Sequence, residues 1–178
     1  MYRIFSLIFT CMLVSLSAVH HPNILPKARG PVLTTSAIIT MITESKFMSI
    51  VLVHRANEPF GLALPGGTVE YGESVEDAVR REIKGELNVE LSNLAQFHVY
   101  SNAMRDPRFH SAEVAFTATA LGIPTSGDNA LDVFVVPVHE IPWDNLAFDH
   151  AEILRDFLKS YKRGALGGLP PLGHAFQS

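Results

Sequence analysis

Residues 64 to 89 read LPGGTVEYGESVEDAVRREIKGELNV, and this stretch decides the fold. A loop with Pro65 and two glycines leads into a segment of helical periodicity. Ser74 is a preferred N-cap residue, and Asp77 stands three positions later, as in a capping box. The sequence therefore predicts an amphipathic helix with one buried face. That face comprises Val75, Ala78, Val79, Ile83 and Leu87.

Two glutamates of this helix, Glu82 and Glu86, are four residues apart, so both side chains project from one face. Their like charges repel by ~0.2 to 0.5 kcal/mol, and a bound cation would reverse this repulsion. Carboxylates with backbone oxygens, waters and phosphate oxygens form the usual ligand shell of Mg2+ or Mn2+. For two glutamates considered alone, a solvated helix face is the favoured interpretation. The residues around them favour a metal site instead.

The spacing of the surrounding residues resembles the Nudix box. That motif has a glycine, five residues, a glutamate, seven residues, Arg-Glu, an aliphatic residue, any residue, Glu-Glu, any residue, a glycine and an aliphatic residue. The position of the pattern, where a loop opens a capped helix, supports the match. The matching residues are Gly67, Glu73, Arg81, Glu82, Ile83, Glu86 and Val89.

The resemblance implies an α/β fold of the Nudix type, an α/β/α sandwich with a mixed β-sheet. It implies that Glu82 and Glu86 are catalytic and that they hold Mg2+ or Mn2+, with the Gly66 carbonyl, against a diphosphate attacked by water. Gly67, Glu73 and Arg81 are, by the same resemblance, structural residues of the box.

Two positions depart from the motif. Asn88 replaces the last glycine, where the helix should end in a left-handed conformation that Asn adopts more readily than most residues. Gly85 replaces the first glutamate of the Glu-Glu pair, which removes a metal ligand of the family and costs the helix ~1 kcal/mol. Three carboxylates are candidates for the missing ligand: Glu113, Asp128 and Asp132.

Other segments resemble the ADP-ribose pyrophosphatase group of the family. They are NEPFGLALPGG at 57–67, RDPRFH at 105–110, Gly127 with Asp128 and Ala130, and LAFDH at 146–150. The resemblance extends from about Val32 to Tyr161, and it implies cleavage of ADP-ribose to AMP and ribose 5-phosphate.

The RDPRFH segment supplies the predicted substrate-binding residues. Arg105 and Arg108 are suited to paired hydrogen bonds with phosphate oxygens, and Asp106 could orient one of them. Without the box, a surface turn would be the preferred interpretation. Phe60 and Phe148 are candidates for stacking on a base, with loop anchors packed into the core as the alternative.

Apolar and β-branched runs outside the box predict strands at 32–43, 48–54, 95–101, 112–121 and 133–138. A last helix is predicted from Asp149 as N-cap, with Glu152 at the third position. Strands, a helix, strands and a final helix, in that order, predict a mixed sheet covered on both faces.

Composition limits the partners. The formal net charge of -4 and a pI near 6.0 argue against nucleic acid as a partner. The single cysteine, Cys11, rules out a disulfide within the chain. The predicted partner is a small-molecule nucleotide, and a homodimer is compatible with the sequence.

The N-terminus predicts export. Arg3 precedes an apolar run from Ile4 to Leu16, followed by small residues, as in a secretory signal peptide. The run is shorter than the ~20 residues of a membrane-spanning helix, so no integral membrane span is expected. We predict a signal peptide at 1–18, a linker at 19–31, the Nudix domain at 32–163 and a flexible tail at 164–178. The predicted location is secreted or periplasmic, with a cytoplasmic protein as the alternative.

The leading hypothesis is a metal-dependent hydrolase of a nucleoside diphosphate-linked compound, with ADP-ribose first among substrates. Because Gly85 removes a ligand, a catalytically weak or inactive domain that binds ADP-ribose or a related nucleotide is the alternative. Hydrolysis of a different nucleoside diphosphate compound is a third hypothesis.

If the signal prediction is right, the mature protein from its own host begins near Ala18 or His20, because the apolar run ends in small residues there. N-terminal sequencing of the purified protein measures this. Recovery of an intact Met1 from a cytosolic fraction would exclude the signal peptide.

Overall fold

The computed structural model describes residues 30–42, 48–127 and 132–164, and the strands and helices given below belong to the unit that begins at Pro31. The predicted signal peptide, almost all of the linker and of the tail, the turn at 44–46 and Asp128 lie outside the described residues. Among the ranges that are described, no helix has both the length and the apolar character needed to cross a membrane.

Seven strands and two α-helices form this unit within the described residues. The helices are α1 (Val75–Leu87) and α2 (His150–Lys162). The strands are β1 (Val32–Ile42), β2 (Met48–His54), β3 (Leu62–Ala63), β4 (Gly66–Thr68), β5 (Glu90–Tyr100), β6 (Ser111–Leu121) and β7 (Val133–Pro137).

The strands form one mixed sheet in the order β3-β2-β1-β6-β5, with β4 paired to β1 and β7 paired to β2. The β1 and β6 strands are parallel, and the other pairs are antiparallel. The mixed sheet predicted from the order of the elements is thereby confirmed.

Each helix covers one face of the sheet. On one face, Ile83 and Leu87 of α1 pack against Ala37 and Ile39 of β1. On the other face, Ile153 and Phe157 of α2 pack against Ile38. Alternate β1 residues therefore face opposite cores, as the two-residue period of a strand requires. The α/β/α sandwich is confirmed.

The ends of α1 follow the predicted pattern. Ser74 Oγ accepts a hydrogen bond from the Asp77 N–H at 3.1 Å, which satisfies an otherwise unpaired donor of the first turn. Asn88 ends the helix with a φ of 56°, the left-handed conformation predicted for this position. The helix that carries Glu82 and Glu86 is therefore fixed at both ends.

The start of α2 differs from the prediction. Asp149 stands at the N-cap position, but its side chain makes no capping hydrogen bond. Its carboxylate binds Arg105 instead, at 2.6 Å and 2.9 Å. A charged partner outcompetes the backbone N–H groups here, because hydrogen bonds between two ions are stronger than those with one neutral partner.

Candidate active site

Two glycines of β4 form the floor of the site. Gly66 pairs with Ser36 of β1 and has a φ of 152°, and a Cβ at this position would lie 2.2 Å from the Thr35 carbonyl oxygen. No side chain fits at this distance, so the close approach of the two strands requires glycine.

Both box glutamates reach these glycines from α1. Glu86 Oε2 accepts a hydrogen bond from the Gly66 N–H at 3.0 Å. The Glu82 carboxyl group lies against Gly67, where a Cβ would come within 2.3 Å of its Cδ. The three residues predicted to hold the metal, Gly66, Glu82 and Glu86, are thus together in the folded chain.

The Glu86 carboxyl group has few compensating charges. Burial raises its pKa to about 7, and the neighbouring Glu82 adds to the rise, while the Gly66 N–H and Arg55 oppose it. A buried carboxylate is costly unless a cation or several donors compensate it. A cation bound at this position would offset that cost.

Two of the predicted structural residues of the box, Arg81 and Glu73, form a hydrogen-bond network beside the two glycines. Arg81 donates to Glu73 at 2.6 Å and to the Thr68 carbonyl oxygen at 3.0 Å, and it also bonds Glu82 at 2.8 Å. Glu73 also accepts from the Glu70 N–H at 2.7 Å. These hydrogen bonds hold the loop after β4 against α1, and they orient Glu82.

The residues present fit Mg2+ or Mn2+ with an incomplete protein shell. In the described part of the chain, no group of three or more His, Cys, Asp or Glu side chains is arranged to hold a metal ion. Two carboxylates suffice for Mg2+, which usually keeps several waters and binds substrate phosphates.

Of the three candidate substitutes for the missing glutamate, Glu113 is engaged elsewhere, as described below, and Asp132 is exposed. Asp128 lies outside the described residues. Its neighbour Gly127 donates its N–H to the Glu86 carbonyl oxygen at 2.8 Å.

A cleft of about 480 Å3 opens beside the two glycines, which line it. A smaller cleft of about 400 Å3, which includes Glu86, shares Arg55, Leu64 and Gly66 with the first.

Arg55, Arg108 and Phe148 are among the residues that line the larger cleft. The guanidinium carbons of Arg55 and Arg108 lie 4.4 Å and 5.2 Å from the centre of the Phe148 ring. Burial, together with the nearby Arg108, lowers the pKa of Arg55. Among the described residues no carboxylate forms an ion pair with Arg55, whose guanidinium donates to the Pro59 carbonyl oxygen at 2.7 Å. Phe148 has a φ of 55°, which is uncommon for a bulky residue and is often found at functional sites.

Of the predicted substrate-binding residues, Arg108 is partly exposed in the cleft, and Asp106 holds it through two hydrogen bonds of 2.8 Å and 3.0 Å.

Arg105, the third predicted substrate-binding residue, is placed differently. Its side chain is 2% exposed, and it donates to Asp149, to Ser111 and to Glu113. Four of its five N–H groups are engaged in this way, so paired hydrogen bonds from Arg105 to a phosphate are not available in this arrangement.

Glu113 is the centre of this buried network. It accepts from Arg105 at 2.6 Å and from the Ser36 hydroxyl, and His150 Nε2 lies 3.6 Å from it. Burial alone would raise the pKa of the Glu113 carboxyl group, but His150, Arg105 and Ser36 lower it to about 2.

Sequence reasoning missed Arg55 and His150. Arg55 ends a strand-forming run, and only the fold brings it to Glu86. His150 was part of the LAFDH segment, but nothing in the spacing indicated its contact with the loop before β4. Phe60 is 65% exposed and does not line the larger cleft, in contrast to Phe148.

Comparison with known proteins agrees with this geometry. The family model described as the NUDIX domain matches residues 32–157. An ADP-ribose pyrophosphatase of Methanocaldococcus jannaschii is 40% identical over 118 residues, which are 65% of this chain and 68% of that protein.

Solved structures show the same fold. The NUDIX domain of Shewanella oneidensis NrtR, complexed with ADP ribose, is 27% identical with a TM-score of 0.71, over 78% of this chain and 94% of that one. A MutT/nudix family protein of Enterococcus faecalis is 30% identical with a TM-score of 0.68, and the match covers 78% of this chain and 65% of that one.

The Glu113 network predicts a pH dependence of stability. Because the folded-state pKa of Glu113 is lowered from 4.5 to about 2, its contribution is fully present above pH 4.5 and is lost between pH 4.5 and 2. Glu113→Gln should lower the free energy of unfolding at neutral pH by about 3 kcal/mol and make its fall below pH 4.5 shallower. Urea unfolding at a series of pH values measures both effects.

The matched control is Glu76→Gln, which changes an exposed carboxylate on α1 and should leave the stability and its pH dependence close to those of the wild type. If Glu113→Gln behaved like this control, Glu113 would not be the buried ion that the geometry shows.

Proposed function

The chain belongs to the NUDIX domain family and, as a member of it, is a pyrophosphohydrolase; on that premise we propose that it cleaves ADP-ribose, with Mg2+ or Mn2+, into AMP and ribose 5-phosphate. One observation carries the proposal. The carboxylates of Glu82 and Glu86 meet the Gly66–Gly67 backbone at the edge of a cleft that also holds Arg55 and Arg108.

The cleft has the chemistry that a nucleoside diphosphate needs. Arg108 is partly exposed and held by Asp106, so its remaining N–H groups are oriented to bind phosphate oxygens. Arg55 lacks a carboxylate partner among the described residues, which suits it to a second phosphate contact. The Phe148 ring packs against both guanidinium groups, and stacking of the base on this ring stays a prediction. In this proposal Arg105 holds the site together instead of touching the substrate.

Glu82 and Glu86, with the Gly66 carbonyl, would hold the cation. When bound, the cation neutralises charge on the diphosphate and lowers the pKa of water. The contribution of the chain's own groups is to fix the carboxylates: the Gly66 N–H holds Glu86, and Arg81 holds Glu82. These contacts set the distance between the carboxylates and the cleft.

The family relatives support the choice of substrate. One relative is named as an ADP-ribose pyrophosphatase, and one structural neighbour was solved with ADP ribose. Because Gly85 stands where the family has a metal-ligand glutamate, it favours a second candidate function. In that case the domain is catalytically weak or inactive and binds ADP-ribose or a related nucleotide. Apart from its chain neighbours and the backbone of its own helix, the Cβ of a residue at 85 would meet no described atom within 4 Å, so no side chain from elsewhere occupies the space where the missing side chain would start.

Hydrolysis of ADP-ribose should require Mg2+ or Mn2+ and stop in excess chelator. The assay measures AMP release over a panel of nucleoside diphosphate compounds, with and without metal. Glu86→Gln should lose most of the activity, while Glu76→Gln on the same helix should keep it. Full turnover in chelator, or a Glu86→Gln variant as active as the wild type, would contradict the proposal.

Gly85→Glu tests whether the missing ligand limits catalysis. It restores the carboxylate before Glu86 in a position where a Cβ meets no clash, so we expect tighter Mn2+ binding and faster turnover of ADP-ribose. Gly85→Ala is the matched control, since it gives the same gain in helix propensity, about 1 kcal/mol, without the carboxylate.

Unchanged turnover and Mn2+ affinity in Gly85→Glu would mean that another carboxylate already fills the position, and Asp128 and Asp132 would then be substituted in turn. If the wild type binds ADP-ribose but cuts nothing, while Gly85→Glu cuts it, the binding candidate is correct.

A further inference from the structure

Three hydrogen bonds fix the backbone that leads into β4. The Leu64 N–H donates to His150 Nδ1 at 2.9 Å. The Pro65 carbonyl oxygen accepts from the Ala37 N–H at 2.9 Å, and the Gly66 N–H donates to Glu86 at 3.0 Å. The first of these bonds is made by a side chain from α2, which lies on the opposite face of the sheet from Glu86.

The hydrogen bond from Leu64 determines the tautomer of His150. Because Nδ1 accepts a hydrogen bond, it carries no proton, and the proton of the neutral imidazole lies on Nε2. Nε2 faces Glu113 Oε1 at 3.6 Å, which is longer than a normal hydrogen bond but places the N–H dipole towards a carboxylate. Arg105 and Ser36 fix that carboxylate in turn.

The Leu64 N–H has no solvent to replace this acceptor. Leu64 and His150 are each 3% exposed, and both line the larger cleft beside Gly66. A buried N–H without an acceptor is costly, so loss of Nδ1 would favour a shift of the backbone at residue 64. Such a shift would reach Gly66 two residues later, and with it the hydrogen bond to Glu86.

We propose that His150, as the Nε2–H tautomer, is a positioning residue that sets the backbone of residues 64–66 and thereby the place of Glu86 at the cleft. It acts through the Leu64 N–H and does not touch the substrate. The expected fall in kcat rests on the proposed function. The tautomer of His150 and its hydrogen bond with the Leu64 N–H do not depend on that function.

Two substitutions of His150 distinguish the role of Nδ1 from that of Nε2. The amide oxygen of Asn lies near the place of Nδ1, so His150→Asn keeps an acceptor for Leu64. Gln extends its amide to the place of Nε2, so His150→Gln removes that acceptor and keeps a donor towards Glu113. We expect kcat for ADP-ribose to fall about ten- to a hundredfold in His150→Gln with little change in KM, and to stay close to the wild-type value in His150→Asn.

His98→Gln, on the edge strand β5, is the control for a histidine substitution outside the site. Amide hydrogen exchange of Leu64 should be faster in His150→Gln than in the wild type and His150→Asn. In the wild type, imidazole 15N shifts should show Nδ1 unprotonated. Circular dichroism identifies any variant that fails to fold, and the wild-type 15N shifts test the tautomer without a variant.

A proton on Nδ1, or a His150→Gln variant with wild-type kcat and Leu64 exchange, would overturn the inference. Equal loss of kcat in folded His150→Asn and His150→Gln would also overturn it, because His150→Asn keeps the acceptor for the Leu64 N–H and that acceptor would then not determine kcat. If the wild type hydrolyses nothing in the panel, the proposed function fails, while the tautomer and the Leu64 exchange still decide the structural part.

Discussion

The contact between the Gly66–Gly67 backbone and the α1 carboxylates is the constraint on which the site depends. A Cβ at Gly66 would lie 2.2 Å from the Thr35 carbonyl oxygen, and one at Gly67 would meet the Glu82 carboxyl group. Glycine at both positions lets β4 lie between β1 and α1, close enough for Glu86 to accept the Gly66 N–H. The two glycines and the two glutamates are therefore parts of one contact, which explains why the motif spans both a loop and a helix.

A second constraint acts from the other side of the sheet. Arg105, Glu113 and Asp149 form a buried ion cluster, and charges of both signs in one place compensate part of the cost of removing each from water. The cluster joins β6, the loop after β5 and the start of α2. Through His150 it also reaches Leu64, so the backbone before β4 is held on one face by α2 and on the other by α1. Such fixed geometry is what pre-organised binding of a charged substrate requires.

Local patterns predicted α1 well because its determinants are local. Ser74, the apolar stripe and Asn88 act within a few residues of chain, and all three take the predicted roles. Strands β3 and β4 were missed because two or three residues, rich in glycine, carry no periodicity and pair only through β2 and β1. The roles of Arg105, Asp149 and Arg55 depend on partners far along the chain, such as Asp149 for Arg105 and Phe148 for Arg55. Spacing alone does not show which partner an arginine meets. The box glutamates were predicted together because a helix turn fixes their separation.

Anomalous diffraction from crystals soaked in Mn2+ with a non-hydrolysable analogue of ADP-ribose would locate the metal and the diphosphate relative to the α1 carboxylates. We expect an anomalous peak within coordination distance of the Glu82 and Glu86 carboxylates and of the Gly66 carbonyl, with the diphosphate of the analogue on the same ion and next to Arg108. A peak at the Glu113 cluster or elsewhere, or a bound analogue with no metal at Glu82 and Glu86, would contradict it.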